Sequence, residues 1–154
     1  MDGYFLDTSA IIKYYFSETG HFFIVNLYSR AKGRDVFISQ ASRVEVVATI
    51  CRKAREQGMP IIDRDKLIDD FRKDCKRIYG TEQVTNAIYA AAGDLCRAYR
   101  LRAYDAVQLA CAINVNKKVL TYQASPAIFI CADKKLLEFA CAEGLTTDNP
   151  DNYP

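Results

Sequence analysis

Apolar residues in this chain come as short bursts between longer stretches where they recur at helical spacing. Tyr4-Phe5-Leu6 is a brief apolar run that ends at Asp7-Thr8-Ser9, which predicts a first strand handing over to a helix. Residues 10–16 continue that helix, Glu18-Thr19-Gly20 breaks it, and residues 21–31 form a second. A turn over residues 32–35 leads to the apolar run Val36-Phe37-Ile38, a second strand. A long helix follows over residues 39–56, closed by Gln57-Gly58-Met59-Pro60, with glycine then proline just past the helix end. Leu67, Ile68, Phe71, Cys75 and Ile78 give residues 63–78 a helical period. Residues 82–84 are read as a minor strand, and residues 86–99 and 104–116 as helices. A loop spans residues 122–126, and residues 127–131 are the most strand-like segment of the chain. A helix over residues 133–144 and an edge strand over residues 145–147 complete the pattern.

Strands and helices therefore alternate, and the strands are short and apolar without strict alternation. That combination specifies an α/β fold with a mostly parallel sheet covered by helices on both faces. Residues 1–147 read as one domain, with residues 148–154 as a loose tail that is polar and holds two prolines. A length of 154 residues is enough for one domain with a substantial core.

Composition narrows the function classes only a little. Half the residues are apolar and the net charge is +2, so any nucleic-acid surface has to come from local clustering. No apolar run is long enough to span a membrane, and the N-terminus lacks the features of a secretory signal, so the expected location is the cytoplasm. Six cysteines occur without a C-x-x-C pair, which argues against zinc, and in the cytosol against disulfides; they are read as small hydrophobes. The single histidine, His21, leaves no basis for a nucleophilic triad.

The candidate chemistry lies in four acids. Asp7 follows the first strand and Asp133 follows the strand at residues 127–131, where open parallel sheets build their sites. Glu45 and Asp105 lie in otherwise apolar helical stretches, where a carboxylate is costly to bury unless it is paired or binds a metal. Each acid also has an ordinary reading: Asp7 and Asp133 can be helix N-caps, and Glu45 and Asp105 can face solvent. Taken together, four carboxylates without histidine or cysteine suit a hard cation, Mg²⁺ or Mn²⁺, and phosphodiester hydrolysis.

These residues resemble a known family. Leu6-Asp7-Thr8-Ser9 is similar to the opening motif of PIN domains. Ser42-Arg43-Val44-Glu45, Tyr104-Asp105-Ala106 and Cys131-Ala132-Asp133 are similar to their later motifs, in order, over residues 4–145. The nearest subgroup is the VapC-like toxins of toxin–antitoxin pairs. The resemblance implies a three-layer α/β/α sandwich and a Mg²⁺- or Mn²⁺-dependent endoribonuclease acting on tRNA, rRNA or mRNA. Asp7, Glu45, Asp105 and Asp133 would be metal ligands or water-positioning groups, supported by Thr8 or Ser9. It further implies a homodimer restrained by a small antitoxin protein. One departure is Ala132, where many members carry a hydroxyl residue.

Lys13, Arg43 and Arg102 lie near the acids in sequence and are candidate substrate contacts, since RNA binding needs cations along the phosphate path. A non-catalytic RNA- or protein-binding module on the same fold is the alternative reading. A phosphatase with Asp7 as nucleophile is disfavoured by Ser9, where such enzymes carry a second aspartate.

Overall fold

The computed structural model describes residues 3–31, 35–123 and 125–154. Most of the turn expected at residues 32–35, and one residue of the loop at 122–126, lie outside the described residues. The elements run β1 (Tyr4–Leu6), α1 (Thr8–Tyr15), α2 (His21–Arg30), β2 (Val36–Ser39), α3 (Ser42–Gln57) and α4 (Ile61–Arg77). They continue with β3 (Gly80–Glu82), α5 (Asn86–Ala98), α6 (Ala103–Tyr122), β4 (Ile128–Ile130), α7 (Lys134–Ala142) and β5 (Thr146–Asp148).

The strands pair in the order β3-β2-β1-β4-β5, and every neighbouring pair is parallel. The chain builds one arm from β1 outward to β3, then returns to place β4 on the other side of β1. Helices on the two arms fall on opposite faces, as expected when crossovers keep one hand. Leu6, Ile38 and Ile130 point into a core with α1 to α4, around Ile11, Ile24, Val46 and Phe71. Phe5, Phe129 and Cys131 point into the other core, with Ile88, Leu95, Leu109 and Leu136 from α5 to α7. The central strands are therefore buried on both faces, which explains why β1, β2 and β4 carry continuous apolar runs, whereas the edge strands β3 and β5 do not. The three-layer α/β/α sandwich is the observed architecture.

Four of the differences from the sequence reading bear on packing. Ser39 belongs to β2 rather than to α3, because it pairs with Glu82 across the sheet. The third strand begins at Gly80, opposite Phe37, rather than at residue 82; a Cβ there would lie 2.8 Å from a Phe37 ring carbon, so the strands pack closely only with glycine at this position. Helix α6 extends to Tyr122, past the expected end at residue 116. Its polar C-terminal part is fixed by Lys118 and Asn114, which hold the buried Glu82 carboxylate of β3. The fourth difference is the tail. Asp148 is a strand residue, and residues Pro150–Asn152 form a 3-10 turn. Asp151 pairs with Lys13 at 2.7 Å, and Tyr153 stacks on Phe23 at 4.3 Å. The loose tail expected over residues 148–154 is instead docked on α1 and α2, where ion pairing and ring stacking offset the entropy of ordering it.

Candidate active site

The order of the strands reverses at β1, so the crevice beyond the carboxyl ends of β1 and β4 is the topological switch point. Leu6 and Ile130 are register partners at these ends. Asp7 follows the first and Asp133 comes three residues after the second.

Asp7 is buried. Its Oδ1 accepts from Ser9 Oγ at 2.5 Å and from the Ala10 backbone N–H at 3.3 Å, so it is also the N-cap of α1. Burial pushes its carboxyl up to about 7, and the Glu45 charge adds to that rise. The Ser9, Cys131 and Ala10 hydrogen bonds pull it back only in part. Ser9 in turn accepts from the Ala132 N–H at 2.8 Å. One hydroxyl thereby ties the end of β4 to Asp7.

Glu45 stands in the first turn of α3, half-buried. Its carboxyl is raised by burial and by Asp105, against hydrogen bonds from Gln108 and Thr8. Asp105 stands in the first turn of α6. It is raised by burial and by Asp133, while Arg102 pulls it down. Asp133 is exposed and caps α7, its Oδ1 accepting from the Lys135 and Leu136 N–H groups. The four acids thus form a chain of like charges, Asp7 to Glu45 to Asp105 to Asp133, each felt by the next. Glu45, Asp105 and Asp133 line one open cleft of about 510 Å³.

Among the described residues, no three histidine, cysteine, aspartate or glutamate side chains converge on a single ion-binding point as they stand. The donor set nevertheless fits a hard divalent cation. It is made only of oxygen, and its mutual repulsion is what a bound cation would relieve. Glu45, Asp105 and Asp133 are the residues placed to hold such an ion, with Asp7 behind them.

Gln108 is a site residue that the sequence reading passed over. It is fully buried on α6, three residues after Asp105 and so on the same helical face. Its Nε2 donates to Ser42 Oγ at 2.9 Å, Glu45 Oε2 at 3.1 Å and Thr8 Oγ1 at 3.4 Å. Its Oε1 has no hydrogen-bond partner among the described residues. The signal was present: an amide inside an apolar helical run, one turn from a candidate acid. Of the two hydroxyl candidates, Ser9 braces Asp7, and Thr8 is buried beside Gln108.

The cationic candidates separate. Arg102 is exposed in the cleft beside Asp105. Arg43 is exposed on the first turn of α3 and acts electrostatically on Cys75 of α4. Lys13 is a correction. It is buried near the far end of α1, and its ammonium is engaged by Glu18 at 3.3 Å, the Thr19 carbonyl at 2.8 Å and Asp151 at 2.7 Å. Three donors meet three acceptors, so none remains for a substrate.

A buried polar cluster lies elsewhere and is structural. Tyr15 donates to Asp74 at 2.8 Å and meets Tyr79 at 3.2 Å, and Tyr79 meets Tyr28 at 2.8 Å. These contacts fasten α4 to α1 and α2. All six cysteines are free; Cys111 and Cys131 are buried, and Cys96 and Cys141 are exposed. No described helix is long and apolar enough to cross a membrane.

Residues 4–124, well over half of the chain, match the PIN domain family, and the chain belongs to that family. The match stops short of Asp133, which only the fold brings to the site. In structure, the chain is similar to VapBC2 from Rickettsia felis, crystallised bound to a DNA fragment from the promoter. The TM-score is 0.61 at 16% identity, over 95% of this chain and 97% of that one. It is similar also to FitAcB from Neisseria gonorrhoeae, with a TM-score of 0.62 at 16% identity, over 95% and 96% of the two chains. At that identity the likeness concerns the fold. No curated protein sequence matches the chain.

Proposed function

We propose that this protein is a metal-dependent endoribonuclease and the toxin of a toxin–antitoxin pair. The observation that carries the reading is the shared cleft of Glu45, Asp105 and Asp133, with the buried Asp7 electrostatically joined to Glu45 behind it. Membership of the PIN family supports it. So do structural neighbours named as VapBC and FitAcB assemblies, which extend the proposal to a small protein partner, the antitoxin. A homodimer in the cytoplasm is the expected state.

Glu45, Asp105 and Asp133 would hold Mg²⁺ or Mn²⁺. When bound, such an ion polarises a phosphoryl oxygen and makes water a better nucleophile at neutral pH. The chain's own residues do the rest. Gln108 fixes the Glu45 carboxylate by hydrogen bonding, and Ser9 fixes Asp7. Arg102, which lines the cleft with Asp105, would meet the substrate phosphate. Asp7, buried behind the cleft and beside Glu45, would add negative charge at the back of the metal site.

The test is incubation of total tRNA and rRNA with the purified protein and Mg²⁺ or Mn²⁺, beside Asp7→Asn, Asp105→Asn and an EDTA control. Discrete metal-dependent fragments that both substitutions abolish are expected. Unchanged cleavage in both variants would remove the reading. A folded protein that binds no Mn²⁺ would leave a non-catalytic module.

A further inference from the structure

The carboxylates of the candidate site differ in how many oxygens they leave free. Asp7 Oδ1 accepts from Ser9 Oγ at 2.5 Å and from the Ala10 N–H at 3.3 Å. Glu45 Oε2 accepts from Gln108 Nε2 at 3.1 Å. Asp133 Oδ1 accepts from the Lys135 and Leu136 N–H groups at 3.0 and 3.2 Å. In each of these side chains one oxygen is taken by the protein, so at most one is left over. Asp105 accepts no hydrogen bond among the described residues.

Two of these arrangements have an ordinary origin. Asp7 and Asp133 are the N-caps of α1 and α7, and a cap uses one side-chain oxygen in any helix. The bond to Glu45 has no such origin. Gln108 reaches Glu45 from another helix, α6, and is fully buried. Its Nε2 also donates to Ser42 Oγ at 2.9 Å, and its Oε1 has no partner among the described residues. Turned over, the amide would set Oε1 against the Glu45 carboxylate, so only the observed orientation suits the charge. The bond is charge-assisted and shielded from water, which makes it costly to break.

The number of free oxygens matters because hard cations differ in what they accept. Ca²⁺ takes roughly six to eight oxygens in flexible geometry, often two from one carboxylate. Mg²⁺ is smaller, demands an octahedron and keeps several waters, so single carboxylate oxygens suit it. We propose that Gln108 is a metal-specificity residue: by engaging Oε2 it limits Glu45 to single-oxygen ligation, and the cleft thereby selects Mg²⁺ or Mn²⁺ over Ca²⁺. The inference deepens the nuclease reading and rests on it for the presence of a metal. It also gives the selection a purpose, since an ion held by single oxygens retains the water that phosphodiester hydrolysis consumes.

The experiment is calorimetric titration of metal-free wild type, Gln108→Met and Ser42→Ala with Mg²⁺, Mn²⁺ and Ca²⁺, without RNA. Wild type is expected to bind Mg²⁺ at least as tightly as Ca²⁺. In Gln108→Met, affinity for Mg²⁺ and Mn²⁺ should fall about 10- to 100-fold, the usual cost of losing a partner behind a ligand. Affinity for Ca²⁺ should hold, because the freed Oε2 offsets the lost support, so the preference shrinks by the same factor. Ser42→Ala removes the anchor of the amide without altering a carboxylate and should shift the preference in the same direction. It carries the test if thermal melting shows that Gln108→Met does not fold. Equal losses of Mg²⁺ and Ca²⁺ affinity, or a wild type that binds Ca²⁺ more tightly than Mg²⁺, would overturn the role of Gln108 and leave the metal reading standing. A folded wild type that binds none of the three ions would remove both.

Discussion

Gln108 donates its side-chain amide to the Glu45 carboxylate at 3.1 Å, joining two helices whose first turns carry neighbouring acids. The amide is completely buried, so the bond is shielded from water and sets the direction of Glu45. Gln108→Met keeps the volume and removes the donor. Metal affinity and cleavage are expected to fall about 10- to 100-fold, the usual cost of losing a partner behind a metal ligand. Calorimetry with Mn²⁺ and single-turnover cleavage check this, and a retained melting transition shows that the fold survives.

The buried Asp7 makes stability depend on pH when no metal is present. Its carboxyl is pushed from 3.8 up to about 7. The folded state therefore holds a proton that the unfolded chain has released, and stability declines as pH rises from about 4 to about 7, then levels. The loss is at most roughly 4 kcal/mol, at 1.36 kcal/mol per unit. Asp7→Asn carries no titrating group at this position, so its curve across that window should be flatter and its stability at pH 8 higher. Denaturant titrations in EDTA at several pH values measure both. Identical slopes in the two proteins would show that Asp7 titrates normally.

Asp133 has two duties that substitution can separate. Its Oδ1 caps α7, and its charge faces Asp105 in the cleft. Asp133→Asn keeps a capping oxygen and should melt close to wild type while losing cleavage. Asp133→Ala loses both, at an additional cost of about 1 kcal/mol. Thermal melts of the pair report the cap, and cleavage assays report the charge.

Lys13 is expected to matter for stability and not for substrate. Lys13→Met removes the ion pair to Asp151 and leaves Glu18 with Lys53 alone, both carboxylates being only partly exposed. A loss of about 1 to 3 kcal/mol is expected, below the value for fully buried pairs because water reaches the partners. RNA affinity should not change. A drop in affinity with unaltered melting would return Lys13 to the substrate path.

The sequence was most legible where one residue's environment is decided by its own segment. Apolar runs at Tyr4-Phe5-Leu6 and Ile128-Phe129-Ile130 marked strands because both faces of the sheet are covered. Asp7 and Asp133 were legible as sheet-edge acids for the same reason. What stayed hidden depends on partners far along the chain. Gly80 looks like a helix stop until it meets Phe37. Lys118 looks like a solvated residue until Glu82 pairs with it. Lys13 looked like a substrate contact because it is close to Asp7 in sequence, whereas six residues of helix carry it away from the sheet edge. Gln108 was passed over because an uncharged amide in an alanine-rich helix gives little local signal. The tail looked loose by composition, and only α1 and α2 supply its anchors.

The parallel order of the sheet also sets when the site can exist during synthesis. The central strand β1 needs β4 on one flank, and Tyr4 waits for Ile128 as its register partner. Asp133 follows still later, so the last of the four carboxylates is made after the other three. Parallel pairings between such distant segments form slowly, because loop closure comes before any contact is gained. A ribosome-bound nascent chain therefore holds Asp7, Glu45 and Asp105 without their fourth member. The order of translation itself postpones assembly of the cleft until the segment carrying Asp133 has been made.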